Sequence, residues 1–462
     1  MKTFYKKSAF LFLIILSALN FTAKAIAAKQ PVAIFHAFNQ KFSDVENFVC
    51  KLGEQGYSHV QISPAQKSNP GSKWWNRYQP VDYGVIEGLG SETDLKKLAD
   101  KAHGCGVKVI ADVVFNHMAD LYGKGDVEDV SKFQIKAPSD YKTPSTTSPI
   151  YRLCEIQAQD YSDGNRDKEL GCWLGGLADL NFTDNVKTAQ KAHLKKLLDL
   201  GMDGFRFDAA KHMPGEAVKE YIDYVNQESQ GKAWNYLEVI EDHDTKAEDY
   251  SWIAAVEDFV LYNSMKSAFS FGGDLRSLPA ASLNDNRSVT FGRNHDTILE
   301  LNQFAINPYN DATDSYLATA YVLARMDGTP LIFNDDNLKS PFINYGVKFR
   351  KTMIDREKEG KNTREFILRV IDNPTILLIE RGGEGFFVEN KGTDKFDTPT
   401  LDLTLTNLEG CYRELRNNFT VAIERRDAKK YVTRWATPSR GGLEIYGRDA
   451  LYFVREPFSQ CS

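Results

Sequence analysis

Residues 107–117 read VKVIADVVFNH, a nearly continuous apolar run broken only by Lys108 and Asp112 before it ends on Asn116 and His117. A strand this apolar must be covered on both faces, the situation of a parallel strand flanked by helices. Outward from it, short β-branched and aromatic runs alternate with helix-like stretches, the rhythm of βα units. Strands are expected at residues 32–38, 59–63, 107–115, 204–208, 236–240, 255–260, 288–291 and 330–333. Helices are expected at 44–55, where Val45, Phe48, Val49 and Leu52 share a face, and at 92–103, 216–228 and 316–325. Another runs from a cap at Asp184 through Val186, Ala189, Leu197 and Leu200 to a stop at Gly201. Eight such strands close a barrel, so the fold class is α/β, a (β/α)8 barrel with its functional residues at the C-terminal ends of the strands.

Two stretches break this rhythm. Residues 118–177, rich in Lys, Asp, Ser, Thr, Pro and Gly, are too long for a plain loop and read as a small domain inserted after the third strand. Residues 373–462 carry alternating segments, such as 375–379, 385–388 and 451–454, and read as a C-terminal antiparallel β-sandwich domain. The barrel is then built from 28–117 and 178–372.

The first 27 residues have Lys2, Lys6 and Lys7 ahead of an apolar run at 9–19 and an Ala-Ile-Ala site at 25–27, the pattern of a secretory signal peptide. No later segment approaches the roughly 18 to 20 apolar residues of a membrane span. The expected protein is secreted or periplasmic, without a membrane span. A net charge of −6 gives no footprint for nucleic acid, and nothing demands more than a monomer. Six cysteines in an oxidising compartment favour disulfides, of which about fifteen pairings exist. Pairing of sequence neighbours, Cys50 with Cys105, Cys154 with Cys172 and Cys411 with Cys461, would staple three local regions. Zinc binding or unpaired thiols are the alternatives, although no Cys-x-x-Cys or Cys-His spacing suits zinc.

Polar residues gather at the ends of the expected strands: Asp112, Asn116 and His117 after the third, Arg206 and Asp208 in the fourth, Glu238 in the fifth, His295 and Asp296 after the seventh. The segments DVVFNH (112–117), GFRFDAAKH (204–212), EV (238–239) and NHD (294–296) resemble, in order, the four signature regions of the α-amylase family of glycoside hydrolases. LADLN (177–181) resembles a fifth, and WWNRYQP (74–80) resembles the family's aromatic cleft motif. The resemblance spans residues 33–333 and continues more weakly at 381–390.

The resemblance implies a retaining α-amylase that cuts α-1,4 links of an α-glucan, with Asp208 as nucleophile, Glu238 as general acid and base, and Asp296 as transition-state stabiliser. A transglycosylase of the same family and a non-catalytic glucan-binding protein are the alternatives. For retention the two carboxyls are expected about 5 to 5.5 Å apart. Arg206, two residues before Asp208 on one strand face, is expected to hold Asp208 ionised, while apolar Leu237, Val239 and Ile240 are expected to raise Glu238. Trp74, Trp75, Tyr78, Gln79, His117, Arg206, Lys211, His212 and His295 are the implied substrate contacts.

The resemblance also implies a structural Ca2+ site from Asn116 and Asp179 with carbonyls of Leu170 and His212, braced by a disulfide of Cys154 with Cys172. Caps of a strand and a turn are the plain structural reading of Asn116 and Asp179. A chloride, bound in some members, is not expected: Arg206 and Asn294 match part of its site, but the second basic position reads Leu331. Gly292 and Arg293 before NHD imply altered subsite contacts. Glu241, Asp242 and Asp244 around His243 read as a solvated loop, as do Glu257 and Asp258.

Overall fold

Eight short parallel strands form and close on themselves: β1 (Ile34–Ala37), β2 (His59–Ile62), β3 (Lys108–Val114), β4 (Gly204–Asp208), β5 (Tyr236–Leu237), β6 (Ala255–Glu257), β7 (Ser288–Thr290) and β8 (Thr329–Phe333). They succeed one another in chain order, and β8 returns to β1 with Leu331 opposite Ile34. The computed structural model describes residues 28–120, 135, 138–142, 154–279, 282–283, 287–301, 305–369, 373–398, 401–436 and 441–461. The expected signal peptide at 1–27 and much of the expected inserted domain lie outside the described residues.

A barrel helix follows each strand: α1 (Phe42–Gln55), α2 (Glu92–Gly104), α3 (Asp184–Asp199), α4 (Gly215–Glu228), α5 (Glu248–Ser251), α6 (Phe259–Phe269), α7 (Ala312–Ala324) and α8 (Phe342–Lys358), with further short helices at Ala158–Asp163, Arg166–Gly171 and Asp336–Lys339. On α1 the buried Val45, Val49 and Leu52 repeat at helical spacing and face the barrel. Gly56 ends that helix in the left-handed region at φ 102°. α3 begins one residue earlier than expected, because the cap is Thr183, whose hydroxyl accepts from the Val186 amide at 3.4 Å.

The sequence-expected strand at 255–260 is a strand and a helix. Asp258 stops β6 and caps α6 by accepting from the Leu261 amide at 2.9 Å, and it also takes the Ser282 and Ser288 hydroxyls. Phe259 and Val260 therefore open a helix, a distinction that a short apolar run does not carry by itself. The strand expected at 236–240 likewise ends at Leu237, after which the chain turns into the top of the barrel.

A seven-stranded antiparallel sheet follows, beginning at Glu365–Arg369, ahead of the expected boundary at 373. A second pair, Phe396–Thr398 with Leu443–Ile445, covers one face and joins its apolar core. The other face lies on α7, which is buried from Asp314 to Ala324, and the Tyr452 hydroxyl donates to Ala320 O at 3.1 Å across this junction. Disulfides join Cys50 to Cys105, Cys154 to Cys172 and Cys411 to Cys461.

Glu389, in the strand Gly385–Asn390, is wholly buried with neither carboxylate oxygen hydrogen-bonded. Burial pushes its pKa well up, and Arg448 offsets this only in part. A carboxyl raised in the folded state contributes stability below its unfolded pKa, and this is lost as pH rises through the folded value. Glu389→Gln removes the charge that must otherwise form without partners. It is expected to flatten the fall in Tm between about pH 5 and pH 8, gaining roughly 1–3 kcal/mol at the alkaline end. Thermal unfolding across pH checks it; identical slopes in both proteins would refute it.

Candidate active site

Parallel register sets Asp112 of β3 level with Arg206 of β4, and Val114 level with Asp208. Alternation along β4 turns Arg206 and Asp208 to the same side, into the barrel mouth. Four carboxylates converge on the wholly buried Arg206 guanidinium. Its Nη1 bonds Asp112 at 3.0 Å and Asp208 Oδ1 at 2.7 Å, its Nη2 pairs with Glu238 Oε1 at 2.6 Å, and its Nε bonds Glu257 Oε1 at 3.1 Å. The other oxygen of Glu238 accepts from the Ala209 amide at 2.7 Å. Ala209 reaches this position with φ at 49°, a left-handed conformation that aims its N–H at Glu238 directly after Asp208.

One guanidinium does not neutralise this many acids, so the group retains protons and titrates as a unit. Burial raises Asp208 well above the usual carboxylate range, and Glu238 adds to this against the pull of Arg206. Asp296 is raised by burial and then by Glu238. Burial alone would also raise Glu238, but Arg206, His295, the Ala209 amide and Asp296 together hold it below its ordinary value. This reverses the sequence expectation for Asp208 and Glu238. Leu237 and Val239 flank Glu238 along the chain, but its carboxyl meets Arg206 and the Ala209 amide, and the arginine fork reaches both acids. Burial also lifts Asp112 to about 6 and Glu257 to about 7.

Above the acids lies a cleft of about 670 Å³ lined by Trp74, Trp75, Tyr78, Gln79, His117, Asp208, Lys211, His212, Glu238, His295 and Asp296. Trp75 is 42% exposed, whereas Trp74 is half-buried and donates from Nε1 to Leu301 O at 3.0 Å. Tyr78 stacks on His295 at 5.4 Å and donates to Asp112 Oδ2 at 3.0 Å. Gln79 accepts from Asn69 Nδ2 at 2.8 Å. Burial depresses His117 to about 4 and His295 well below its ordinary value, so both rings are neutral near pH 7 and each keeps one donor and one acceptor nitrogen. Arg206 does not reach the cleft: it is a buried counter-ion beneath it rather than a substrate contact.

Several lining residues were not singled out from sequence. Tyr161, from the inserted segment, packs its ring 4.4 Å from Lys211 Nζ. Asp242 pairs with Lys211 at 2.7 Å and lines the cleft, so the acidic run around His243 is not wholly a solvated loop. Glu257 and Asp258 are both buried, one on Arg206 and one as a helix cap, because β6 and the turn after it point them inward. No motif marks these positions; only the fold brings them in. Arg293 is drawn away from the cleft by Asp336, which accepts from its Nε at 2.8 Å.

The expected calcium site does not fit. Asn116 and Asp179 are buried together with the His212 carbonyl nearby, but Lys142 Nζ sits 3.2 Å from Asp179 Oδ2 and 3.5 Å from His212 O, where calcium was expected. Leu170 and Lys142 line a separate cavity of about 440 Å³. The ammonium already supplies Asp179 with a counter-charge and stands close to where the divalent ion would have to sit. No cluster of three or more His, Cys, Asp or Glu able to hold a metal occurs among the described residues. A chloride does not fit either: Arg206 Nε and Asn294 Nδ2 already bond the two oxygens of Glu257, each at 3.1 Å, and Leu331 is apolar.

The family model described as the catalytic domain of alpha-amylase matches residues 51–266. An alpha-amylase of Aeromonas hydrophila is 32% identical over 334 residues, which are 65% of this chain and 71% of that protein. An alpha-amylase-related protein of Drosophila willistoni is 32% identical over 317 residues, and the chain spans 63% of its length. In fold, the chain is similar to a mutant alpha-amylase I of Eisenia fetida in complex with maltohexaose. The TM-score is 0.73 at 20% identity, covering 93% of this chain and 99% of the other.

Removing the central cation leaves buried carboxylates uncompensated, a loss of roughly 3–5 kcal/mol. Arg206→Met is expected to lose that much stability near neutral pH and less near about pH 5, where the carboxyls take up protons. Denaturant titration at the two pH values measures it, and an equal loss at both would count against the cluster as described.

Proposed function

Since the chain belongs to the α-amylase family of glycoside hydrolases, we propose that it is an exported, monomeric α-amylase that hydrolyses internal α-1,4-glucosidic bonds of starch or glycogen with retention of configuration. The observation that carries this reading is the pair Asp208 and Glu238 held on the two terminal nitrogens of one buried guanidinium at the floor of an aromatic-walled cleft. In a double displacement one carboxyl of such a pair attacks the sugar while the other serves its leaving oxygen.

In this reading Asp208 attacks the anomeric carbon while Glu238 gives its proton to the departing glycosidic oxygen, leaving a glycosyl ester on Asp208. Glu238, now a carboxylate, takes a proton from water, whose oxygen displaces Asp208 and restores the α-configuration. In the resting cleft the protons favour Asp208 and Asp296 over Glu238. Asp296 hydrogen-bonds Glu238, so a proton stored there is one transfer from the acid that needs it. Asp208 gives up its own proton to water in the open cleft before it attacks, and Arg206, at 2.7 Å from its Oδ1, stabilises the ionised form. Neutral His117 and His295 are suited to hydroxyl groups, and the open face of Trp75 to a pyranose ring. Three disulfides and the leader-like N-terminus support an extracellular or periplasmic location. No helix among the described residues is long and apolar enough to cross a membrane.

Soluble starch should yield maltooligosaccharides that are α-configured by NMR when fresh. Asp208→Asn is expected to lower turnover roughly 10³-fold or more while glucan binding persists. β-Configured products would rule out the double displacement, cyclic products would make the protein a transglycosylase, and binding without turnover in the unaltered chain would make it a glucan-binding protein. The charge on Glu257 raises Asp296. Glu257→Gln should therefore move the alkaline limb of the kcat/KM profile to lower pH, by up to about 1 on the pH scale; an unmoved limb would separate Glu257 from the titration.

A further inference from the structure

Where the inserted segment returns to the barrel, His117 and Asp179 form an antiparallel bridge and the Leu180 amide donates to Asn116 O at 2.9 Å. Lys142 enters this joint fixed at both ends of its backbone: its amide donates to Asp179 O at 2.9 Å, and its carbonyl accepts from Trp173 Nε1 at 3.1 Å. The side chain is 7% exposed and that of Asp179 is fully buried. Its ammonium contacts Asp179 Oδ2 at 3.2 Å and His212 O at 3.5 Å and lies 5.7 Å from the Phe182 ring.

We propose that the Lys142 ammonium is the permanent cation of this joint, doing by a covalently attached charge what an exchangeable divalent metal would otherwise do. A wholly buried carboxylate needs a partner charge, and an ammonium offers one charge with three donors. Two of those donors have acceptors here on the two parts that must be tied, Asp179 from the returning segment and His212 after β4. Calcium would require six to eight oxygens at about 2.3–2.6 Å, and it would have to displace a lysine whose backbone is already anchored. Like charges at such a range repel strongly in a buried setting. The joint lies directly behind the cleft, because His117 and His212 both line it. The consequence is a cleft wall that chelators do not loosen. This role of Lys142 follows from the geometry of the joint and not from the catalytic reading, so its test reads stability and metal content rather than turnover.

The full chain, purified and passed through a chelating resin, is unfolded thermally near neutral pH in excess EDTA and in millimolar calcium chloride, with bound metal measured by elemental analysis. The expected result is no stoichiometric calcium and a Tm that differs by less than about 3 °C between the two conditions. One tightly held calcium per chain, or a larger Tm difference, overturns the proposal. In EDTA, Lys142→Ala and the more conservative Lys142→Gln should both have a lower Tm than the parent. A Tm equal to the parent's in EDTA overturns the role of the ammonium, and if neither variant folds, the metal analysis and Tm pair of the parent chain decide alone.

Discussion

Arg206 is the interaction on which the site depends. A guanidinium sealed in the barrel mouth would be costly alone, and so would each of the acids around it; together they are tolerated because every arm of the fork finds a carboxylate. The planar geometry matters as much as the charge. One ammonium would be a point, whereas the fork holds Asp112, Asp208, Glu238 and Glu257 in fixed directions. Asp208 and Glu238 are thereby held in place by an ion that does not itself enter the cleft. The excess of negative charge also keeps protons within the group, which an acid catalyst needs and a set of well-separated, fully paired carboxylates would not supply.

The scaffold around this centre is built to be stiff. Each barrel strand is two to seven residues long, so the side chains that matter leave the sheet almost at once and are held by what packs behind them. Tyr78 stacks on His295 and is tied to Asp112, and His117 contacts Tyr78 O at 3.0 Å, so floor and wall constrain one another. On the far side, α7 is buried all round from Asp314 to Ala324 because the C-terminal sheet covers the face that an outer barrel helix normally turns to water. Arg448 reaches across this junction to Asp314 and Asp311. The sheet is thus continuous with the barrel's support rather than an appendage.

Two ion positions illustrate a common principle. Where Asp179 requires a cation, Lys142 provides one; where Arg206 and Asn294 present donors to an anion, Glu257 provides the carboxylate. In both places the charge is carried on the chain, so its local concentration is set by folding and not by the solution. The same choice exposes these joints to folding itself: an attached ion is present only when its segment is in place.

The alternation of apolar runs and helical patterns was enough to give a closed parallel barrel, and the order of short motifs was enough to place Asp208, Glu238 and Asp296 at one end of it, since strand ends in such a barrel must converge. Cysteine spacing led to the three disulfides. The sequence could not say that Phe259 begins a helix, because a three-residue strand followed by a capped turn has the same apolar pattern as one longer strand. Nor could it say which acid holds a proton, that Glu257 is buried, or that Lys142 meets Asp179. These depend on distances between residues far apart in the chain, and a buried charge takes its pKa and its partner from the groups that surround it in space, which tertiary packing alone decides.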